Sequence, residues 1–386
     1  MDLTTHLYTP EGGWSAPLPS DRDGPGTLVL AFGASTLFEA PDPLDALHAC
    51  FPASHVIGCS TAGEIFGTTL VDGGLAVAVA RFAHTRLETA FAEAPHAEAS
   101  FDAGWTLAQQ LDAPDLRGVL VLSDGHHVNG SALVRGLNAV LPPSVVVTGG
   151  LAGDQDRFER TWVLQHGRPR TGGVSAAGFY GDAIRIGHGS KGGWDIFGIE
   201  RVVTRARGNV LYELDGQPAL QLYKEYLGER ADGLPATALL FPLALRADVA
   251  STESIVRTVL AVDEAQQSMT FAGDIPEGYR AQLMRANFER LIDGAYEAAQ
   301  MTGAVPAPEQ PVLSVAISCV GRRLVLGERA EEELEATLDV LPDQTHQVGF
   351  YSYGEISPYA TGACDLHNQT MTLTTITEGD PCRIAS

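Results

Sequence analysis

The sequence predicts a mixed α/β (α+β) fold: two related domains built from repeated strand–helix–strand–turn–strand modules with mixed sheets. Three observations predict it. The same short phrase stands near both ends, Gly58-Cys59-Ser60-Thr61-Ala62-Gly63-Glu64-Ile65 and Gly349-Phe350-Tyr351-Ser352-Tyr353-Gly354-Glu355-Ile356, each reading Gly, four residues, Gly-Glu-Ile. Each copy follows a helical stretch ending in Pro (Pro52, Pro342) and a short apolar strand. A third, looser copy, Val145-Val146-Val147-Thr148-Gly149-Gly150-Leu151-Ala152-Gly153-Asp154, lies between them. Repetition of this kind sets the architecture before any single element does.

Residues 1–25, rich in Gly, Pro and Asp, read as a poorly ordered lead-in. Thr27–Gly33 is a continuous apolar run and reads as a buried strand; Ala40–Phe51 is helical by pattern. Strands are expected over 74–80 and 86–92, then a helix over 100–110 carrying Phe101, Trp105 and Leu107. The strand Val119–Leu122 ends in Ser123-Asp124-Gly125, and a helix over 130–140 leads to the third Gly-rich turn. Strands over 161–165 and 174–180 precede a Gly-rich stretch, Gly187–Gly193, which reads as a mobile loop or lid. The polar, basic segment Arg201–Gly208 marks the domain boundary, dividing 26–207 from 208–386. Pro218 opens a helix over 219–227, since Pro is well tolerated in a first helical turn. A helix is expected from Leu283 to Gln300, where Met284, Phe288, Leu291, Ile292 and Ala295 recur at helical spacing. Ala304–Pro311 reads as a loop, Val312–Cys319 as a buried strand, 328–340 as a helix and Thr370–Thr377 as the closing strand.

At 386 residues, two domains are expected. A net charge of −23 argues against a nucleic-acid partner and against docking on anionic lipid, both of which need clustered Lys and Arg. The five cysteines show no Cys-x-x-Cys pair and no zinc spacing, which suits reduced thiols in the cytoplasm better than a disulfide frame. The N-terminal residues lack the pattern of a signal peptide, and no apolar run approaches the ~20 residues of a membrane helix. A cytoplasmic protein is expected.

Several constellations carry candidate chemistry. Glycines after a buried strand let the backbone approach a ligand and turn its N–H groups outward. In that reading Cys59, Ser60 and Thr61 border a ligand, and Glu64 and Glu355, with Tyr353 beside the latter, accept an ammonium. The plain alternative is tight packing between repeats, with the glutamates bonded to backbone N–H groups. Gly58–Gly63 lacks the Gly two residues after Ser that a hydrolase elbow requires, since Ala62 stands there. Asp124, His126 and Asn129 follow the C-terminal end of a buried strand, where α/β folds place their sites, and Asp154 follows the third repeat. His367 and Asn368 precede the closing strand. No Cys-x-x-Cys-His sequence exists, so any haem on His367 would be non-covalent. No Gly-x-Gly-x-x-Gly or Walker lysine follows any strand, which argues against nucleotide binding.

Taken in order, these elements resemble the FIST sensory domains. The N-terminal domain is matched by Ile57–Ile65, Leu122–Gly125 and Gly149–Asp154; the C-terminal domain by Glu213–Leu220, Tyr223–Gly228, Gly349–Ile356 and Leu366–Thr370. The resemblance covers roughly 26–380. It implies a signal-input module that binds a small-molecule ligand, with amino acids a suggested class, and that acts without chemistry or a cofactor. Some relatives are similar to haem proteins that sense nitric oxide, which implies the alternative of haem b on His367. Relatives are often joined to kinases, cyclic-nucleotide enzymes or chemotaxis receptors. No segment here is left for such an output domain, so a signalling partner protein is expected. A further alternative is an acid/base enzyme using Glu64 or Glu355.

Overall fold

The computed structural model describes residues 1–234, 236–248, 254–303, 310–358 and 363–379. Strands and helices alternate in a mixed α/β arrangement, and the repeated module is present three times. The first copy comprises β1 (Asp2–Thr9), β2 (Thr27–Ala34), α1 (Asp42–Cys50), β3 (His55–Thr61), the hairpin β4 (Glu64–Phe66) and β5 (Thr69–Val71), and β6 (Leu75–Arg81). The second comprises β7 (Arg86–Glu93), α2 (Ser100–Leu111), β8 (Leu116–Ser123), α3 (Gly130–Asn138), β9 (Val146–Leu151), the hairpin β10 (Val163–Gln165) and β11 (Arg168–Arg170), and β12 (Gly173–Tyr180).

The third copy opens with β13 (Ile184–Lys191) and is then interrupted by an inserted sheet. That insertion contains β14 (Asp195–Arg207), β15 (Val210–Leu214), α4 (Ala219–Leu227), β16 (Leu243–Arg246), β17 (Ile255–Arg257), β18 (Val259–Asp263), β19 (Ser268–Phe271) and β20 (Arg280–Arg285). The repeat resumes with α5 (Phe288–Met301), β21 (Val312–Cys319), α6 (Val320–Leu326), α7 (Ala330–Leu338) and β22 (Thr345–Ser352). It closes with the hairpin β23 (Gly354–Pro358) and β24 (Cys364–His367), and β25 (Met371–Glu378).

In every copy the two inner strands run parallel: β2 with β3, β8 with β9, β21 with β22. A helical crossover joins them, as parallel pairing requires. The closing strand lies antiparallel to the first inner strand, and the leading strand antiparallel to the closing one. The hairpin leaves its own sheet and extends a neighbour's. β4 pairs with β22, β23 with β9, and β10 with β3. Repeat one thus completes repeat three, three completes two, and two completes one. Backbone bonds at equivalent places close the ring. The N–H of Ala62 donates to Tyr351 O at 2.8 Å, Gly153 to Ser60 O at 3.0 Å, and Tyr353 to Leu151 O at 3.1 Å.

The repeated glycine has a structural cause. Gly58, Gly149 and Gly349 lie in register with Ala31, Val121 and Ala316 of the neighbouring inner strand. A β-carbon would stand 2.1, 1.8 and 1.8 Å from those residues' carbonyl oxygens. The side-chain-free position therefore serves strand-to-strand approach, not the approach to a ligand expected from sequence. Between the sheets, Leu30, Phe32, Leu120, Leu122, Ile317 and Phe350 form a core to which all three repeats contribute. Inner strands covered on both faces read as unbroken apolar runs for this reason.

Four local expectations are corrected. Residues 2–9 form β1, paired with β6 from Asp2↔Arg81 to Tyr8↔Leu75 and flanked at its end by Gly13–Trp14, so the lead-in opens with a strand of mostly half-buried side chains. Gly187–Gly193 is largely strand β13; its glycines admit helix α5, a β-carbon at Gly189 standing 2.0 Å from Ala298 O. Arg201–Gly208 belongs to the long strand β14, whose polar residues face solvent. The stretch 283–300 is a strand and a helix: Met284 lies in β20, which ends at Arg285, and Asn287 caps α5 by accepting from the Arg290 N–H. Most of the expected loop 304–311 lies outside the described residues, as does Cys382.

A buried ion pair locks the third repeat. Arg322 and Glu333 are fully buried with Nη2 and Oε2 2.7 Å apart. Arg322 also donates to the carbonyls of Gly192 and Leu291, and Glu333 accepts from Ser318 and Tyr351. Removing one partner strands the other charge in the interior. Glu333→Ala is expected to lower unfolding stability by roughly 3–5 kcal/mol, read from urea denaturation midpoints.

Candidate functional site

At the C-terminal ends of the first inner strands of repeats two and three, residues 124–129 after β8 and residues 319–321, where β21 passes into α6, border the inserted sheet. Between them lies a cavity of 260 Å³. This is near the lower end of small-ligand pockets, roughly 300–1,000 Å³. The body contributes His126, Val128, Asn129, Leu151, Phe158, Tyr353 and Cys319–Gly321; the insertion contributes Asn209, Leu239, Thr258, Leu260 and Phe271–Gly273. No Asp, Glu, Lys or Arg stands among these described lining residues. Thr258 Oγ1 and His126 Nε2 are buried and have no hydrogen-bond partner among the described residues. His126 Nε2 is 3.7 Å from Asp154 Oδ1, too far to bond.

His126, Asn129 and Tyr353, singled out from sequence, line this cavity. Asn129 also caps α3, its Oδ1 accepting from the Ala132 N–H at 2.9 Å, while its Nδ2 donates to Asp274 at 3.2 Å. Asp154 stands behind the wall. It accepts from the Tyr353 hydroxyl and from the N–H groups of Phe158, Glu159 and Arg160 at 3.1, 2.7 and 2.8 Å. Burial works to raise its pKa, but these bonds and the nearby His126 outweigh burial and hold the carboxylate below its ordinary range. Burial, and then the Asp154 carboxylate, push the Tyr353 phenol up.

Glu64 and Glu355 do not line the cavity; each closes its own turn. Glu64 is fully buried, with Oε1 bonded by Thr61 and Oε2 accepting from the Gly74 N–H at 2.8 Å. Glu355 repeats the pattern, accepting from Ser352 Oγ at 2.6 Å and from Thr370 Oγ1 at 2.9 Å. In repeat two the N–H equivalent to that of Gly74, from Gly172, goes at 2.9 Å to Asp124, which also holds the N–H groups of His126 and His127. Buried acids bonded to their own turn and to the residue before the closing strand correspond to the plain packing role. Ser60 Oγ accepts from the Trp162 N–H at 3.0 Å, and Cys59 is a core residue whose thiol burial pushes far up. Neither meets the cavity.

His367 lies on the wall of a different space, of 350 Å³, with Trp194 and Met284. Its Nε2 is 3.0 Å from the Ser357 carbonyl, so ligating a haem iron through that nitrogen would break the bond. Burial lowers its pKa. Asn368 is fully buried beside His367, and neither its Nδ2 nor its Oδ1 finds a partner among the described residues. Sequence reasoning missed the whole contribution of the insertion, and also Phe158 and Cys319–Gly321. The last of these was legible: Cys319-Val320-Gly321 spans the end of β21 as Ser123-Asp124-Gly125 spans the end of β8, and aligning the repeats brings the two strand ends to one place.

Comparison with known proteins agrees with this architecture. The family model for the FIST N domain matches residues 27–217, and that for the FIST C domain matches 219–358. The chain belongs to the FIST family. FIST domains are sensory domains that bind small ligands. The junction between the two FIST models falls inside the inserted sheet, between β15 and α4. Among curated relatives, uncharacterized proteins from two strains of Mycobacterium tuberculosis are each 26% identical over 357 residues, 90% of this chain and 90% of theirs. A solved cyanuric acid hydrolase from A. caulinodans aligns over 98% of this FIST chain and 99% of its own, at 10% identity and a TM-score of 0.36. Among the described residues no helix is long and apolar enough to cross a membrane.

The buried glutamates give the FIST fold a pH signature. Burial pushes Glu64 and Glu355 from 4.5 up to about 8, against hydrogen bonds from Thr61 and Gly74 and from Ser352 and Thr370. The folded protein therefore holds protons that the unfolded chain releases above about 4.5. The stability they contribute is complete below that pH, is lost as pH rises toward about 8, and changes no further above it. Glu64→Gln removes one such group. The stability of wild type relative to Glu64→Gln is expected to fall steadily between about pH 5 and 8, by up to about 1.4 kcal/mol per pH unit, read from urea midpoints at each pH.

Proposed function

We propose that this protein is a sensor that binds one small organic molecule in the cavity between the repeat body and the inserted sheet. The observation that carries this reading is the composition of the wall: strand ends from two repeats meet the insertion around a space with apolar sides and two buried polar atoms without a partner among the described residues. A concave, mostly apolar space with a few convergent polar groups is what small-molecule recognition uses. An amino acid, the class that the family resemblance suggests, brings two charges to a wall with no Asp, Glu, Lys or Arg among its described residues. A neutral molecule avoids that desolvation cost.

The role proposed is binding without turnover. Cys319 is the thiol in the wall, and burial, reinforced by the Glu355 carboxylate, pushes its pKa well up, which makes it a poor nucleophile. The ligand touches both the body and the insertion, so occupancy favours one placement of the insertion over others. A signalling partner protein reads that placement.

A thermal-shift and calorimetry screen of small organic molecules tests this reading. Wild type is expected to gain melting temperature with the logarithm of ligand concentration above Kd. Ala272→Phe, which fills the cavity, is expected to weaken binding at least tenfold, with the ligand recovered unchanged from the wild-type mixture. Hits that bind Ala272→Phe as tightly as wild type would place the ligand elsewhere.

A further inference from the structure

We infer that the cavity is selective for a flat aromatic ring: a neutral one- or two-ring molecule carrying one hydrogen-bonding group, seated against a wall made by Phe158, Tyr353 and His126. This inference rests on the small-molecule reading above and names the ligand class.

Three aromatic side chains from separate segments converge at the cavity. Phe158 and Tyr353 stack with centroids 4.8 Å apart and planes at 16°. His126 stands edge-on to both at 80°, 5.7 Å from Tyr353 and 6.5 Å from Phe158. All three line the cavity, yet Phe158 is 48% exposed, and Leu260 across the mouth is 44% exposed. Apolar surface this open beside an apolar cavity has ring faces and edges left to cover. Aromatic pairs prefer offset-stacked or edge-to-face contact, and a ligand ring entering here meets rings already set for both.

The wall is held in place at a conformational cost. Phe158 has φ of 51°, a left-handed backbone that bulky residues rarely adopt. It persists because Asp154 gathers the N–H groups of residues 158, 159 and 160 and the Tyr353 hydroxyl on one carboxylate. Strain retained at a cavity by a dedicated anchor points to use of the strained residue. Asp154 is a positioning residue: it fixes Phe158 and Tyr353 relative to each other and does not line the cavity. The opposite wall supplies the polar end. Thr258 Oγ1 is buried and unpaired among the described residues, free to bond a ring N–H or O–H. The absence of charged side chains from the described lining disfavours ionic ligands.

The test measures dissociation constants by saturation-transfer NMR and calorimetry for matched probes: phenol against cyclohexanol, benzamide against cyclohexanecarboxamide, and indole. Wild type is expected to bind the aromatic member of each pair about two- to tenfold tighter, the range of a favourable ring–ring contact. In Phe158→Leu that ratio is expected to fall to near one while the saturated probe keeps its affinity. Thr258→Val is expected to weaken phenol and indole but leave toluene unchanged. Equal binding of aromatic and saturated probes by wild type, blocked by Ala272→Phe, would overturn ring selectivity and leave the cavity reading standing. A ratio that survives in Phe158→Leu would overturn the assigned wall. Failure of every probe to bind wild type would count against the cavity itself.

Discussion

The exchange of hairpins among the three repeats is the constraint on which the rest of the structure depends. Each repeat ends its second inner strand by sending a hairpin into a neighbour's sheet, and three equivalent backbone hydrogen bonds tie the crossings together. An exposed sheet edge invites unwanted pairing; here each repeat's edge is covered by its neighbour. The core shared by all three follows from the same closure, because the inner strands face one another only when the ring is complete. The glycines at 58, 149 and 349 let the parallel strands approach closely enough for this to happen.

Within that near-symmetric frame, the carboxylates explain why the cavity forms where it does. Repeats one and three satisfy the N–H before the closing strand with the glutamate of their own Gly-Glu-Ile turn. Repeat two gives that duty to Asp124. The place equivalent to Glu64 and Glu355 is Gln155, and the acid one residue earlier, Asp154, organises residues 158–160 and Tyr353. The insertion between β13 and α5 then roofs this corner of the ring, so the repeats differ most where the cavity lies.

Much of this was legible in sequence, and what was not has physical reasons. The buried inner strands announce themselves as apolar runs, and helix α4 begins where Pro218 indicates it should. Strand β1 was obscured because Asp2-Leu3-Thr4-Thr5 is half-exposed and its strong evidence is a partner about 70 residues away, as from Leu7 to Ala76. Gly187 and Gly189 resemble loop glycines because sequence does not reveal the helix lying against them. At the site, His126, Asn129 and Tyr353 could be named because they sit on repeat elements. Glu64 and Glu355 attracted attention by repetition, yet the repetition records a shared need to close a turn. Asn209, Thr258 and Phe271 come from the insertion, which repeats nothing and so carries no internal signal.

The hairpin exchange also governs how the chain can be made. Gly67, at the tip of the first repeat's hairpin, bonds Gln347, 280 positions later, and the turn at Ala83–Thr85 is held by Glu378. At about 5–20 residues per second of synthesis, that first edge stays unpaired for roughly 15–60 s after it emerges from the ribosome. During that interval the nascent polypeptide presents open strand edges that resemble those of its own later repeats. Pairing among neighbouring chains on one messenger is then in direct competition with correct ring closure, and yield in the cell depends on how long the nascent edge is shielded.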